Sequence, residues 1–358
     1  VSTFTTNRQP WIFSPSADLL LIAGPAFFSV LGAWFLTEGG MQSVSPWGWL
    51  VLVAGIDVAH VYSTLWRTYL DPSERSKYGQ LLLFIPFGAY FVGTLLYTLD
   101  GILFWRALAY LAVFHFVRQQ YGFMSLYARH ESRPRWERNL DAATIYMAML
   151  FPLLHWHTDL PRPYQWFLEG DFIPLPWSWL GLVSGILFGL LALVYTVKEV
   201  RKLGIGQPFN WPKNLIVAGT ALSWITGIVV LEGDLAFTLT NVVSHGIPYI
   251  ALVWMYGRKK TAGKDHSGVT KYFRPRYLAV FIGFLLAMAY LEEGLWDAWI
   301  WREHTDLFPV FNAILPALTD PAWVTLLVPL LAVPQITHYA LDGFIWKIRR
   351  PDGDLRNI

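Results

Sequence analysis

The chain contains no cysteine in its 358 residues. Disulfides, thiolate nucleophiles, iron–sulfur clusters and Cys-ligated zinc are thereby excluded, so any metal must be held by histidine, carboxylate or a bound macrocycle. Charge is scarce as well. Asp, Glu, Lys and Arg make up 15% of the residues against 54% hydrophobic ones, whereas a soluble domain carries about a quarter charged. Water is therefore not the main solvent. The dense HxxxH and HxxHH boxes of membrane desaturases and hydroxylases are missing, as are the HExxH helix of zinc proteases and any glycine-rich phosphate loop. The formal charge of +2 carries no information about nucleic acid, because in a membrane protein the placement of Lys and Arg matters and not their sum. No nucleic-acid partner is expected. Repeats, low-complexity tracts and soluble domains are lacking too, and residues 1–358 read as a single transmembrane domain.

What is present is apolar length. Mean hydropathy is +0.39, and 19 Trp and 17 Tyr fit rings that anchor helix ends at both interfaces. About 20 helical residues cross a hydrocarbon core of roughly 30 Å, and ten runs approach that length. They are Ala17 to Thr37, Pro46 to Trp66, Gln80 to Leu99, Ile102 to Tyr127, Leu140 to Trp156, Trp177 to Val197, Asn214 to Leu231, Ala236 to Tyr256, Tyr277 to Leu291 and Pro321 to Trp346. The fifth and ninth are short. The first follows a polar arm with Arg8 and lacks a small-residue cleavage site, so it is expected to stay as a span. An all-α polytopic membrane protein of about ten transmembrane helices follows.

Charge placement orients it. Arg8, then Arg67, Arg75 and Lys77, then Arg129, Arg133, Arg135 and Arg138 fall on one side. Lys198, Arg201, Lys202 and Lys213 join them, followed by Arg258, Lys259, Lys260, Lys264, Lys271, Arg274 and Arg276, and by Lys347, Arg349, Arg350 and Arg356. The other side holds only Arg106, Arg162 and Arg302, amid acids that include Glu232, Glu292, Glu293 and Asp297. Cytoplasmic loops accumulate Lys and Arg, so both termini are expected in the cytoplasm, with eight spans as the parity-preserving alternative. A bacterial inner membrane is the expected location. Two exported segments, Thr158 to Pro176 and Glu292 to Asp320, are rich in Trp and Pro; Gly294 to Trp301 and Leu307 to Leu318 are expected to lie flat in the interface.

Ionisable groups at bilayer depth cost several kcal/mol and are kept mainly where they line a site or find a partner. His60, His115, His245 and His338 lie in the second, fourth, eighth and tenth runs. These four helices share one direction. The distance from each histidine to the next cytoplasmic cation is roughly 10 to 21 Å at 1.5 Å per residue, which places all four in one layer between midplane and cytoplasmic face. Each has a polar neighbour at i,i+3 or i,i+4: Asp57 with His60, Arg118 and Gln119 with His115, Asn241 with His245, Asp342 with His338. Carboxylates and amides behind ligating imidazoles fix their tautomers. Pro248 and Pro334 stand close to two of them, where kinks bend helices or free carbonyls.

The reading is a metal centre of His60, His115, His245 and His338, with Asp57, Asn241 and Asp342 around the ligands and Arg118 and Gln119 facing substrate or oxygen-derived species. Without thiolate, iron outside haem is the natural redox metal, copper and zinc being alternatives. Haem is the rival cofactor, two helices sufficing for bis-His ligation. Other readings are a haem- or pigment-binding subunit of an electron-transfer or photosynthetic complex, a proton-coupled transporter, or structural packing with Arg118 paired to Asp57 or Asp342. His155 and His157 with Asp159 form either a metal site or an interfacial polar cluster, and His130, His266 and His304 are expected in solvent. A Ser244–His245 dyad fails because adjacent helical residues do not face each other.

The stretch His338-Tyr339-Ala340-Leu341-Asp342 resembles the His-Gly-Ala-Leu-Asp element of the Brp/Blh-type membrane carotene dioxygenases, with Tyr339 in place of Gly and the element in the last span. His115-Phe116 resembles their His-Phe element. That resemblance implies a multi-pass enzyme binding iron through histidines of several helices and using O₂, with Asp342 behind His338 as a ligand. The expected function is oxidation of a lipophilic substrate that arrives laterally among membrane lipids, alone or with other membrane subunits.

Overall fold

The protein is described here from a computed structural model covering residues 9–261 and 268–346. Arg8, Lys264, His266, Lys347, Arg349, Arg350 and Arg356 fall outside those residues, and with them the placement of both termini. Among the described residues every regular element is helical. Ten long helices occur, one for each apolar run: α1 Pro15–Glu38, α2 Pro46–Arg67, α3 Pro72–Leu99, α4 Gly101–Tyr127, α5 Arg135–Thr158, α6 Trp179–Gly204, α7 Trp211–Val230, α8 Asp234–Thr261, α9 Pro275–Trp301 and α10 Pro321–Ile345.

Nine of these are long and apolar enough to cross a membrane, which makes the chain a multi-pass integral membrane protein. The exception is α5. Its 24 residues suffice in length, but its first two turns carry Arg135, Glu137, Arg138 and Asp141.

The helix starts are written into the sequence. Ser45 and Asp320 precede prolines at the first helical position of α2 and α10, and their side chains accept from the N–H groups of Gly48 and Ala322. Asp71 accepts from Ser73 and Glu74 at the start of α3, whose Pro72 is likewise preset for helix. That cap adds two turns ahead of Gln80, where the apolar run begins. In α10 the helix divides at Ala332, between Leu331 and Val333, next to Pro334; α8 runs on through Pro248.

Gly294 to Trp301 does not lie flat as a separate piece. It continues α9, its last turn widened to a π-helix over Asp297–Trp301, and Leu307 to Leu318 holds one short helix, Pro309–Ile314. Glu292, Glu293 and Asp297 are therefore buried on a helix, not solvated in a loop. Glu292 and Asp297 find donors there: Tyr62 donates to Glu292 Oε2 at 2.5 Å, and the His304 amide and Asn312 side chain donate to Asp297, each at 2.7 Å.

The contacts divide the described chain into two units, one of residues 9–42, 116–164 and 173–244, the other of 43–115, 165–172 and 245–346. Within the first, α5 packs on α6 and α7, and α7 on α1. Its polar interior explains the character of α5. Asp141, fully buried, binds Arg133 and Lys198, while Lys213 reaches Glu199 at 3.0 Å and Glu131 at 3.2 Å. Cations that read as loop charges are thus buried partners of an acid on the neighbouring helix. Within the second unit, α10 packs on α3 and α9 on α2. Trp66, Tyr249, Val253, Trp254, Phe273 and Phe281 form one of its apolar cores.

Candidate metal centre

His60 on α2, His115 on α4, His245 on α8 and His338 on α10 all belong to the second unit, and none is more than 4% exposed. One nitrogen of each lies within 4.8 Å of one nitrogen of every other. His245 Nε2 is 3.1 Å from His60 Nε2, and His338 Nε2 is 3.1 Å from His115 Nε2. The rings form a closed circuit. His60 to His245, His245 to His115, His115 to His338 and His338 to His60 are separated by 4.7, 4.9, 4.6 and 4.9 Å between centroids, each pair edge-to-face. His60 and His115 face each other across the circuit at 6.3 Å and nearly parallel.

Two local features bring the rings together. Gly246 follows His245, and a Cβ there would stand 2.7 Å from Ile56 Cγ2 and 3.0 Å from the Ile56 carbonyl oxygen. Only a residue without a side chain lets α8 approach α2 this closely. The second feature is a π-helix over Leu50–Val58, leading directly into the α-helical turn of His60 and containing Asp57. Such insertions are rare and often sit at functional sites.

The outward nitrogens of three of the rings face oxygen. His60 Nδ1 lies 3.6 Å from Asp57 Oδ1, and His115 Nδ1 lies 3.7 Å from Asp342 Oδ2. His338 Nδ1 is 2.7 Å from Thr64 Oγ1, which is 3.3 Å from the Tyr249 hydroxyl, and that hydroxyl donates to Asp342 Oδ1 at 2.6 Å. The direction of this chain follows from its acid end. Tyr249 spends its proton on Asp342, so Thr64 donates to Tyr249 and accepts from His338, which places the His338 proton on Nδ1 and leaves Nε2 bare. The carboxylates beside His60 and His115 favour the same tautomer. Paired Nε2 atoms 3.1 Å apart can share a proton or a cation between them, and orienting oxygens behind the imidazoles are what metal ligands carry. The four histidines thus form a group able to hold a metal ion.

The remaining site residues expected from the sequence are distributed as follows. Asp57 and Asp342 share the unit of the histidines and stand beside them. Arg118, Gln119 and Asn241 belong to the other unit. Arg118 is exposed and donates to the Tyr146 hydroxyl at 2.6 Å, and Asn241 Nδ2 donates to the Phe237 carbonyl at 3.0 Å. Thr64 and Tyr249 were not anticipated, yet each lies four residues after a histidine of the group. The spacing that singles out Asp342 holds for these hydroxyls as well.

Near the end of α5, His155, Asp159 and Glu232 form a second group with metal-ligand spacing, but Arg162 pairs with Asp159 at 2.8 Å and with Glu232 at 3.7 Å. Arg162 thus already supplies a cation to both acids. His157 Nδ1 lies 2.6 Å from the Leu153 carbonyl oxygen. His130 is exposed, whereas His304 is half-buried with its ring 4.2 Å from that of Trp49. No protein family, curated protein or solved structure matches this chain.

Proposed function

We propose that the protein is an integral-membrane oxidoreductase carrying a metal ion, iron outside a haem, on His60, His115, His245 and His338. It oxidises a lipophilic substrate drawn laterally from the bilayer, with O₂ as the oxidant. The observation that carries this reading is the orientation of the imidazoles: Nε2 atoms converge in pairs 3.1 Å apart while Nδ1 atoms of three rings face Asp57, Asp342 and Thr64. Structural packing alone does not call for four imidazoles to turn their Nε2 atoms toward one another in pairs.

The all-nitrogen donor set without thiolate suits iron, copper or zinc, and among these iron and copper perform redox work. A haem fits less well, because the macrocycle requires a clear equator between two axial imidazoles, and here the other two rings fill that space. Bound iron would supply O₂ activation. The chain's own groups do the rest: Thr64 and Asp342 hold the tautomers of His338 and His115, Asp57 stands behind His60, and close packing excludes water. The pairing of His338 with Asp342 keeps the likeness to the Brp/Blh carotene dioxygenases as a proposal about mechanism, and the bacterial inner membrane remains the proposed location.

Elemental analysis and a visible spectrum of the purified protein test the reading. About one iron per chain and no Soret band is the expected result. A Soret or pigment band would transfer the protein to the cofactor-binding subunits, and absence of both metal and chromophore would overturn the centre. Single changes of each of the four histidines to Ala should each abolish the bound metal.

A further inference from the structure

Tyr249 is placed against the metal centre without being a ligand. Its ring stands edge-on to that of His338 at 4.8 Å and to that of His60 at 5.7 Å, and nothing separates it from them. Its hydroxyl donates to Asp342 Oδ1 at 2.6 Å and accepts from Trp346 Nε1 at 3.3 Å. A phenol can give up an electron readily only if its proton has somewhere to go, and a carboxylate at hydrogen-bond distance is such an acceptor. Tyr339 offers a contrast: its ring is as close to His115, at 4.8 Å, but its hydroxyl has no hydrogen-bonded carboxylate among the described residues.

The next aromatic rings outward are Trp346, 6.2 Å from Tyr249, and Tyr256, 5.7 Å from Trp346. The Arg67 guanidinium lies over both, 5.0 Å from the Trp346 ring and 4.3 Å from the Tyr256 ring. That guanidinium is paired with the Glu74 carboxylate at 2.6 Å, and its contacts with the two rings favour them in their neutral state. Of these three rings, Tyr249 is the one whose hydroxyl donates to the Asp342 carboxylate.

We propose that Tyr249 is a redox-active residue, the one-electron donor to the metal centre. The step balances within the named groups. Tyr249 loses one electron and the hydroxyl proton, becoming a neutral phenoxyl radical; the electron reduces the oxidised metal ion by one unit, and the proton passes to the Asp342 carboxylate. With an ion held there, O₂ would take one electron from it and leave as superoxide, and a small one-electron reductant of the ascorbate class would supply the electron that, with the proton returned from Asp342, restores the phenol. The proposal rests on the metal-centre reading of the preceding subsection.

The test is electron paramagnetic resonance on the full-length protein in lipid nanodiscs, loaded anaerobically with ferrous iron, mixed with O₂ and frozen within milliseconds. Iron content is measured on the same samples. An organic radical is expected whose hyperfine splitting collapses when ring-deuterated tyrosine is incorporated, and which is absent from Tyr249→Phe and retained in Tyr339→Phe. If Tyr249→Phe fails to hold iron, Trp346→Phe identifies the residue: losing the indole hydrogen bond raises the largest g-value of a radical on Tyr249 and leaves any other tyrosyl radical unchanged. Bound iron with no radical, a radical insensitive to tyrosine deuteration, or one unmoved by both Tyr249→Phe and Trp346→Phe overturns the assignment alone. Absence of bound iron overturns the metal centre and this assignment together.

Discussion

His245 Nε2 lies 3.1 Å from His60 Nε2 although 185 residues separate them in the chain. The contact depends on Gly246, whose missing side chain lets the Ile56 backbone approach α8. Two helices carrying histidines far apart in the chain meet through that approach.

Gly246→Ala should therefore harm the centre without touching a ligand. The added Cβ meets a backbone oxygen, which cannot rotate away, so the helices must part. Overpacking of this kind costs about 1–3 kcal/mol. Iron per chain and melting temperature in detergent should both fall. Full occupancy with unchanged melting would show that the close approach is not what assembles the circuit.

Thr64→Val and Asp342→Leu remove the oxygens behind His338 and His115. Losing an outer partner of a metal-bound imidazole typically lowers metal affinity about 10–100-fold. Competition against a chelator of known affinity measures it, and both variants should release the ion at lower chelator concentration while retaining the helical circular dichroism of the parent. Affinity equal to that of the parent in both would remove Thr64 and Asp342 from the centre.

Asp141 balances buried cations of α6 and α7. Its replacement by Ala leaves Lys198 with Glu199 and Lys213 with Glu199 and Glu131, and breaking a buried pair from one side costs up to about 3–5 kcal/mol. Thermal unfolding in detergent should shift markedly downward, and Asp141→Asn, which keeps the shape and not the charge, should recover little of the loss.

Asp71, in the short connection before α3, is held below the ordinary carboxylate range. Burial alone would raise it, but the Lys260 ammonium at 2.7 Å and the Ser73 hydroxyl outweigh burial. A carboxylate depressed in the folded state contributes stability above its unfolded pKa of about 4, and that contribution disappears as pH falls through the folded value. Melting temperature plotted against pH should decline below about pH 4. In Asp71→Asn the decline should be shallower and the neutral-pH melting temperature lower; curves of equal slope would count against this pair as an acid-sensitive contact.

How much of this was legible in the sequence is seen in particular residues. The run Ala236 to Tyr256 already announces α8, because any segment of that length in hydrocarbon must satisfy its own backbone. Asp71-Pro72 and Asp320-Pro321 mark helix starts through local hydrogen bonds. His338 and Asp342 can be paired by counting. Glu292 and Glu293, in contrast, look like exported loop charges until α9 is seen to continue past them, and Lys213 looks like a loop cation until Asp141 is found beside it. Nothing in the spacing reveals that Arg118 turns to Tyr146.

The sequence by itself thus determined the solvent, the all-helical class, the ten helices and the four histidines as the polar groups that need explaining. These follow from hydrophobic length, backbone satisfaction and helical period, which are local properties. Tertiary structure alone decided that the four imidazoles meet with Nε2 inward, that Thr64 and Tyr249 set the His338 tautomer, and that Asp342 serves two histidines from different helices. Those facts depend on helix rotation and close approach, and in a bilayer such packing is set by side-chain shape across helices far apart in the chain, which a linear pattern does not encode.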